Sequence, residues 1–158
     1  MRITAIAVRL AAALLVMFVA GCGDSGPPTV GTAVSFDNVC DKANVDKRIA
    51  LEGYLDFPEQ FKSKDITIMM RLRPSPSTKD KVVGVSVKLG VGPNHVALPP
   101  KSFTAKDVKV TTNDGKTISH TDRVRVSGTM YYPSSIAKVE FRCGLSNMLI
   151  EGVGASGK

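Results

Sequence analysis

Apolar and polar side chains alternate along most of the chain from Arg48 to Val153, which is the pattern of β-strands with one buried face. In the segment Ile66–Leu72, for example, the even-numbered residues are all apolar and form the predicted inward face. Comparable alternation occurs over residues 48–55, 82–89, 107–112, 116–119, 123–130, 138–143 and 146–153. The pattern predicts a mainly β domain, with a long irregular connection over residues 90–106.

Glycines interrupt two of the predicted strands, and a turn sequence separates two others. Gly53 lies in the inward row of the first strand and Gly128 in a late strand, as expected for bulges or sharp bends. Asp114-Gly115 suits the positive backbone φ of a tight hairpin turn. A strand set of this size must hide its edges, and bent strands allow a small barrel to turn its corners. We therefore predict a small closed or partly open barrel of five to six strands.

One short helix is predicted before the first of these strands. Ser35 can cap a helix N-terminus, and Asp37 suits the first turn. Phe36, Val39 and Cys40 have the i, i+3, i+4 spacing of one helical face. This N-terminal helix is expected to pack Phe36 inward.

Two segments resemble a known fold family. Residues 48–55 (RIALEGYL) and 122–129 (DRVRVSGT) look like the first strand and a late strand of OB-fold domains. The pair resembles bacterial OB-fold proteins of the anticodon-binding-like type. The resemblance implies an OB-like barrel with no catalytic residues to carry over. It also implies a face on strands two and three that can bind oligonucleotides or oligosaccharides.

The N-terminus resembles a bacterial lipoprotein signal. Leu10–Ala20 is an unbroken apolar run of signal-peptide length, and it is shorter than the roughly 20 residues that span a bilayer. The run ends in Val19-Ala20-Gly21-Cys22, which resembles the lipobox whose cysteine is lipidated and becomes the first residue. The resemblance implies a signal peptide over residues 1–21 and a membrane anchor of two or three acyl chains on Cys22.

The segments that flank the domain have the composition of linkers. Residues 22–34 are rich in Gly, Pro, Ser and Thr and are expected to form a flexible tether. The OB-like domain then covers residues 35–153, and residues 154–158 are expected to be a disordered tail. Gly23 stands where lipoprotein sorting is read, a position at which Asp usually retains a protein in the inner membrane. We therefore expect the periplasmic face of the outer membrane, with the inner membrane or a single cell membrane as alternatives.

The chain has three cysteines, of which Cys40 and Cys143 remain once Cys22 carries lipid. An even number of cysteines in an oxidising compartment favours a disulfide. The competing interpretation is a redox or metal-binding pair. No CxxC motif is present, and both histidines are distant from the two cysteines in sequence. We therefore predict a structural disulfide and no metal site.

The chain is basic, with a formal net charge of +7 over 158 residues, and two of the arginines lie in the predicted signal peptide. On the outward face of strands two and three, the cations form a candidate anion-binding surface, to which two late arginines can be added. The candidates are Arg71, Arg73, Lys88, Arg123 and Arg125. None of the outward positions on that face is aromatic, so base stacking has no platform and nucleic acid is an unlikely partner.

No arrangement of residues suggests catalysis, and no cofactor is expected. Ser119, His120 and Asp122 are neighbours in one predicted turn, whereas catalytic triads are assembled from distant positions. His95 has no assigned role. We hypothesise a membrane-anchored, non-catalytic binding or envelope-assembly protein with an envelope protein as partner. The alternative is a binder of an anionic oligomer, such as an oligonucleotide, an acidic glycan or a lipid headgroup.

Overall fold

The computed structural model describes residues 27–57, 66–134 and 141–154, which contain nine β-strands and one short 3-10 helix, Lys42–Asn44. In chain order the strands are β1 (Thr32–Ala33), β2 (Arg48–Asp56), β3 (Thr67–Arg73), β4 (Val83–Leu89), β5 (His95–Val96), β6 (Val110–Thr111), β7 (Thr117–Ile118), β8 (Arg123–Tyr131) and β9 (Gly144–Gly152). The predicted signal peptide, Cys22 and residues 155–158 lie outside the described residues.

Five of these strands close into a barrel. β2 pairs antiparallel with β3 and β8, β3 pairs antiparallel with β4, and β8 pairs antiparallel with β9. A short parallel pairing of β4 with β9 closes the ring. The predicted mainly β fold with a small closed barrel is therefore confirmed.

The inward side chains of the barrel strands form one hydrophobic core, as the alternation predicted. Val83, Val85 and Val87 of β4 are fully buried, and the inward rows of the other barrel strands pack against them. Ile66 was also predicted to point inward, but it is 81% exposed. It precedes the first residue of β3 and lies beyond the last register pair with β4, so no opposite wall covers it.

Gly53 lies close to the point on β2 where pairing with β8 ends and pairing with β3 begins. β8 pairs with β2 as far as Tyr54, and β3 pairs with it from Tyr54 onwards. A Cβ atom at Gly53 would overlap the backbone carbonyl oxygen of Arg73, so only glycine permits this close approach. The ladder runs through Gly53 without a bulge. By contrast, the pairing of β8 with β9 shifts register between Ser127 and Thr129, which is the irregularity predicted at Gly128.

The predicted N-terminal helix over residues 35–40 is wrong in position and type. Consecutive turns occupy these residues, with Asn38 N donating to Ser35 O at 3.2 Å and Asp41 N to Asn38 O at 3.0 Å. The 3-10 helix follows at Lys42–Asn44. Val34 N donates to Ala50 O, so the contact with β2 continues up to the residue before these turns. Phe36 nevertheless packs against the core, as predicted.

Part of the predicted flexible tether belongs to the sheet. Thr32 and Ala33 form β1 and pair parallel with Ile49 and Ala50 of β2, so the sheet begins before the predicted domain boundary at Ser35. The Arg48 side chain donates to Thr29 O and to Asn147 O, which fixes the chain ahead of β1 at the start of β2.

A small lobe lies between β4 and β8. The predicted irregular connection over residues 90–106 contains β5, which pairs with β4, and β6 and β7 form a hairpin beside it. Asn113-Asp114-Gly115 turns this hairpin, as predicted, with Gly115 at φ +82°. Hydrogen bonds from Lys116 and Thr112 lower the pKa of the Asp114 carboxyl to about 2.

The predicted strand over residues 138–143 is not found at 141–143, and residues 138–140 lie outside the described residues.

Cys40 and Cys143 form the predicted disulfide; their Cα atoms are 5.5 Å apart, and the two residues are 103 positions apart in sequence. The bridge joins the turns before β2 to the residue that precedes β9. Tyr132 Oη donates to the carbonyl oxygen of Cys40 at 2.6 Å, which adds a second link between the same regions. The two ends of the domain are therefore tied together covalently.

We expect Cys143→Ser to lower the free energy of unfolding by about 4 kcal/mol, because the bridge closes a long loop in the unfolded chain. Urea denaturation measures the change. Reduced wild-type protein should match the variant, and a reductant should leave the variant unchanged. An unfolding midpoint of the wild type that does not respond to reductant would contradict this account.

We also expect Gly53→Ala to lower the free energy of unfolding by about 3 kcal/mol, since the added methyl group meets a backbone atom that cannot move independently. Gly154→Ala is the matched control, because no atom lies within 4 Å of its added Cβ. That control should change stability by less than about 0.5 kcal/mol. Equal unfolding midpoints of the two variants in urea would show that the contact at Gly53 does not constrain the barrel.

Candidate binding surface around Tyr54

Four of the five candidate cations lie on one outer face of the barrel. β2 runs between β3 and β8, so Arg71 and Arg73 of β3 flank it on one side and Arg123 and Arg125 of β8 on the other. Tyr54 lies between them, paired in register with both Arg73 and Arg123. We call this set the Tyr54 surface; it consists of Glu52, Tyr54, Asp56, Arg71, Arg73, Arg123 and Arg125.

Lys88 lies apart from the other candidates. Lys88 is on β4 and pairs with Thr67, the first residue of β3. Arg73 is the last residue of β3, about 20 Å from Thr67 along an extended strand. At the opposite end of β4 from Lys88, an added Cβ at Gly84 would overlap the Phe141 ring, so Phe141 covers β4 where it pairs with Arg71. The structure therefore does not unite the five cations on the predicted face of strands two and three.

Asp56 offsets part of the positive charge on one side of the Tyr54 surface. Its Oδ2 atom lies 3.1 Å from Arg71 Nε and accepts a hydrogen bond from Arg73 Nη2 at 2.7 Å. Arg73 Nη1 donates to the carbonyl oxygen of Thr78 at 2.9 Å, which holds the guanidinium in place. The two arginines thus share one carboxylate.

Glu52 has the same role on the other side of Tyr54. Its Oε1 atom accepts from Arg125 Nη2 at 2.7 Å and from Arg125 Nε at 3.1 Å, and its Oε2 atom lies 3.2 Å from Arg123 Nη2. The hydrogen bonds and the charge of Glu52 raise the pKa of the Arg125 guanidinium above its ordinary value. Glu151 of β9 lies 4.0 Å from Arg125 and adds a third carboxylate.

These ion pairs change what the surface can bind. The acids and arginines that form ion pairs through Glu52 and through Asp56 have side chains that are 18–49% exposed. An ion pair that is exposed in this way stabilises a fold by only about 0–1 kcal/mol. Together they fix the direction of the arginine side chains and leave alternating charges beside an aromatic ring. Anion binding stays a prediction, with less uncompensated positive charge than the sequence suggested.

The sequence analysis missed Glu52, Asp56 and Tyr54 as members of this surface. The alternation in β2 does place Glu52 and Tyr54 on its outward face. The signal that was lacking is the register, because only the pairing of β2 with β3 and β8 shows which side chains are adjacent.

Two pockets flank Tyr54. The larger has a volume of about 610 Å³, and Lys116, Asp122 and Arg123 are among its lining residues. The smaller, of about 220 Å³, is lined by Tyr54, Leu55, Asp56, Arg73, Pro76, Ala105 and His120.

The turn at Ser119–Asp122 contributes to both pockets. Asp122 Oδ2 accepts hydrogen bonds from Ser119 N at 2.7 Å and from Ser119 Oγ at 2.9 Å, which closes the turn. Thr121 and Asp122 line the larger pocket, and His120 lines the smaller one. Ser119 and Asp122 therefore hydrogen-bond to each other within the turn, whereas His120 and Asp122 line two different pockets.

His95, the other histidine, lies on β5 opposite Lys88 and away from the Tyr54 surface. Its Nδ1 atom is 2.6 Å from the carbonyl oxygen of Pro93, which accepts the hydrogen bond within the same turn.

No group of three or more His, Cys, Asp or Glu side chains in the described ranges could hold a metal ion. None of the helical residues in those ranges forms a span able to cross a membrane. No family model matches the chain, and no curated protein or solved structure matches it either.

We expect Glu52→Gln to strengthen retention on a heparin column, because it releases Arg123 and Arg125 from their carboxylate partner. Asp37→Asn is the matched control: it changes the net charge equally, but Asp37 pairs with Lys81 elsewhere on the protein. The Glu52 variant should therefore elute at a clearly higher salt concentration than the Asp37 variant. Equal elution of the two variants would mean that Glu52 does not mask a local anion-binding surface.

Proposed function

We propose that this protein is a lipid-anchored envelope protein on the periplasmic face of the outer membrane, where it acts as a non-catalytic binding or assembly module. The anchor is the lipid on Cys22. The Cys40–Cys143 disulfide supports this location, because disulfides persist in oxidising compartments such as the periplasm. The pairing of these two cysteines leaves Cys22 for lipidation.

The arrangement of the domain suits a binding surface presented away from the membrane. Thr29, on the side of the chain that leads to Cys22, is hydrogen-bonded to Arg48 at the start of β2. Tyr54 lies near the opposite end of the same strand, about 20 Å further along it. The Tyr54 surface therefore lies at the other end of β2 from the described residues that lead to the proposed anchor.

The observation that carries the proposal is the composition of the Tyr54 surface. Tyrosine and arginine are the residue types that most often dominate binding energy at protein interfaces. Here one tyrosine lies between four arginines whose directions are fixed by Glu52 and Asp56. Alternating charges around an aromatic ring complement a partner surface that itself carries both signs, which is typical of a protein.

Binding of an anionic oligomer is the second candidate, and Lys88 together with the four arginines would carry it. A polyanion needs unpaired positive charge along its length, and its binding weakens steeply with salt. Glu52 and Asp56 offset much of that charge. We therefore favour a protein partner.

We expect a photo-reactive residue placed at Thr121, on the rim of the larger pocket, to crosslink to a discrete envelope protein in intact cells. The control position is Lys88, which is exposed and far from the surface. Arg123→Glu should remove the crosslinked band by reversing a charge beside Tyr54.

The same experiment tests the anchor. Cys22→Ser should release the protein from the membrane fraction and weaken the crosslink, because the domain is no longer held near its partner. A Cys22→Ser variant that stays in the membrane fraction would refute the lipid anchor. Identical crosslinks from Thr121 and Lys88, or none from either, would refute the binding role of the surface.

A further inference from the structure

The larger pocket beside Tyr54 is bordered by the free edge of a strand. β7 is the last strand of the sheet and pairs with β6 alone among the described strands, so its other edge has no neighbour there. Thr117 of β7 is exposed and lines the pocket. An unpaired edge presents N–H and C=O groups with which a further strand can pair.

The hydrogen bonds between β6 and β7 show which way the backbone of Thr117 faces. Thr112 N donates to Lys116 O at 2.8 Å, so Thr112 and Lys116 are a hydrogen-bonded pair of this antiparallel ladder. Such pairs alternate with pairs whose N–H and C=O groups point away from each other. Thr111 and Thr117 are the next pair, so the N–H and C=O groups of Thr117 point away from β6.

The hydrogen bond between Ser119 and Asp122 shows that this direction leads to the pocket. Val110 and Ile118 are again a hydrogen-bonded pair, so the Ile118 carbonyl group points towards β6. The Ser119 N–H belongs to the same trans peptide and points the opposite way. It donates to Asp122 Oδ2 at 2.7 Å, and Asp122 lines the pocket. The pocket therefore lies on the side of β7 to which the Thr117 N–H and C=O groups point.

Glycines leave space beside β7 in this pocket. Gly152 and Gly154, at the end of β9, are both exposed and both line it. The nearest atom to a Cβ added at Gly152 would be Ile118 Cγ2 of β7, at 4.0 Å, and a Cβ added at Gly154 would meet no atom within 4 Å. The volume of about 610 Å³ is within the roughly 300–1,000 Å³ of ligand pockets.

Both cations that line the pocket have partners in the protein. Lys116 Nζ lies 2.7 Å from Asp114 Oδ2, and Arg123 Nη2 lies 3.2 Å from Glu52 Oε2. Because these charges are partly compensated, the pocket favours a ligand that has donors and acceptors without a strong charge. The main chain of a peptide offers one donor and one acceptor per residue and has no net charge.

We propose that the larger pocket binds an extended segment of the partner protein, which adds a strand to the free edge of β7. The Thr117 N–H donates to a main-chain carbonyl group of the segment, and the Thr117 carbonyl group accepts from a main-chain N–H. The segment passes Gly152, where no side chain obstructs it. This inference rests on the proposed binding role of the Tyr54 surface and names the form in which the partner is recognised.

The first test is the crosslink from Thr121 in intact cells, made with the full-length protein. Thr117→Pro removes the N–H that points away from β6, a change that the free edge of a strand tolerates. It should lower the yield of the crosslinked band about tenfold. The conservative variant Thr117→Ala keeps both backbone groups and should retain the band. Equal bands from Thr117→Pro and wild type would overturn strand addition at β7.

Gly152→Val is a second variant that acts on the space instead of the edge. Its added Cβ has no neighbour closer than 4.0 Å, so the variant should fold as the wild type does and lose the band. Urea denaturation of both variants separates a lost partner from a lost fold. A Gly152→Val protein with the wild-type unfolding midpoint and an undiminished band would refute a segment beside β7.

The crosslinked stretch of the partner, identified by mass spectrometry, supplies a synthetic peptide for a test that does not depend on variants of this protein. Its binding to the wild-type protein in detergent is measured by calorimetry. We expect N-methylation of one residue, the one opposite Thr117, to weaken binding about tenfold. N-methylation of its two neighbours should have little effect, because their N–H groups point away from β7. A peptide with no such single sensitive position would overturn the proposal.

The outcomes also separate this inference from the proposed function. A band that survives Thr117→Pro and Gly152→Val but disappears in Arg123→Glu would refute only the added strand. No band from Thr121 in the wild type would refute the binding role on which the strand depends. A crosslink into a second copy of this chain would overturn the assignment of the segment to a different protein.

Discussion

The exchange of partner strands by β2 at Gly53 and Tyr54 is the constraint on which the rest of the structure depends. β8 pairs with the first seven residues of β2, and β3 pairs with its last three. The exchange requires the Arg73 backbone to approach Gly53 so closely that no side chain fits between them. Because β2 bridges β3 and β8, the barrel closes and Tyr54 lies between arginines of two different strands.

The same exchange sets the electrostatics of the Tyr54 surface. Residues two positions apart share a face of a strand, so Glu52 and Asp56 lie on either side of Tyr54. Each carboxylate therefore meets one pair of arginines, and cations that are scattered in sequence become ordered ion pairs. The pockets beside Tyr54 are consequences of this order, because the fixed arginine side chains form part of their walls.

The N-terminal segment and the disulfide complete the barrel from outside. β1 occupies the edge of β2 that β3 leaves free, and Phe36 then packs against the core close to Gly53. Cys40 follows and is joined to Cys143, next to the start of β9. The described part of the proposed tether thus enters the domain through an element of the sheet, beside the first half of β2, whereas Tyr54 lies near the other end of that strand.

The sequence by itself determined the faces of the strands, the Asp-Gly hairpin and the pairing of Cys40 with Cys143. These features follow from alternation, from local backbone preferences and from the number of cysteines. Only the tertiary structure decided the registers, because a period of two assigns each side chain to a face but does not specify its neighbour across the strand. For that reason the arginines were foreseen as a basic face, whereas their carboxylate partners and the position of Tyr54 among them were not.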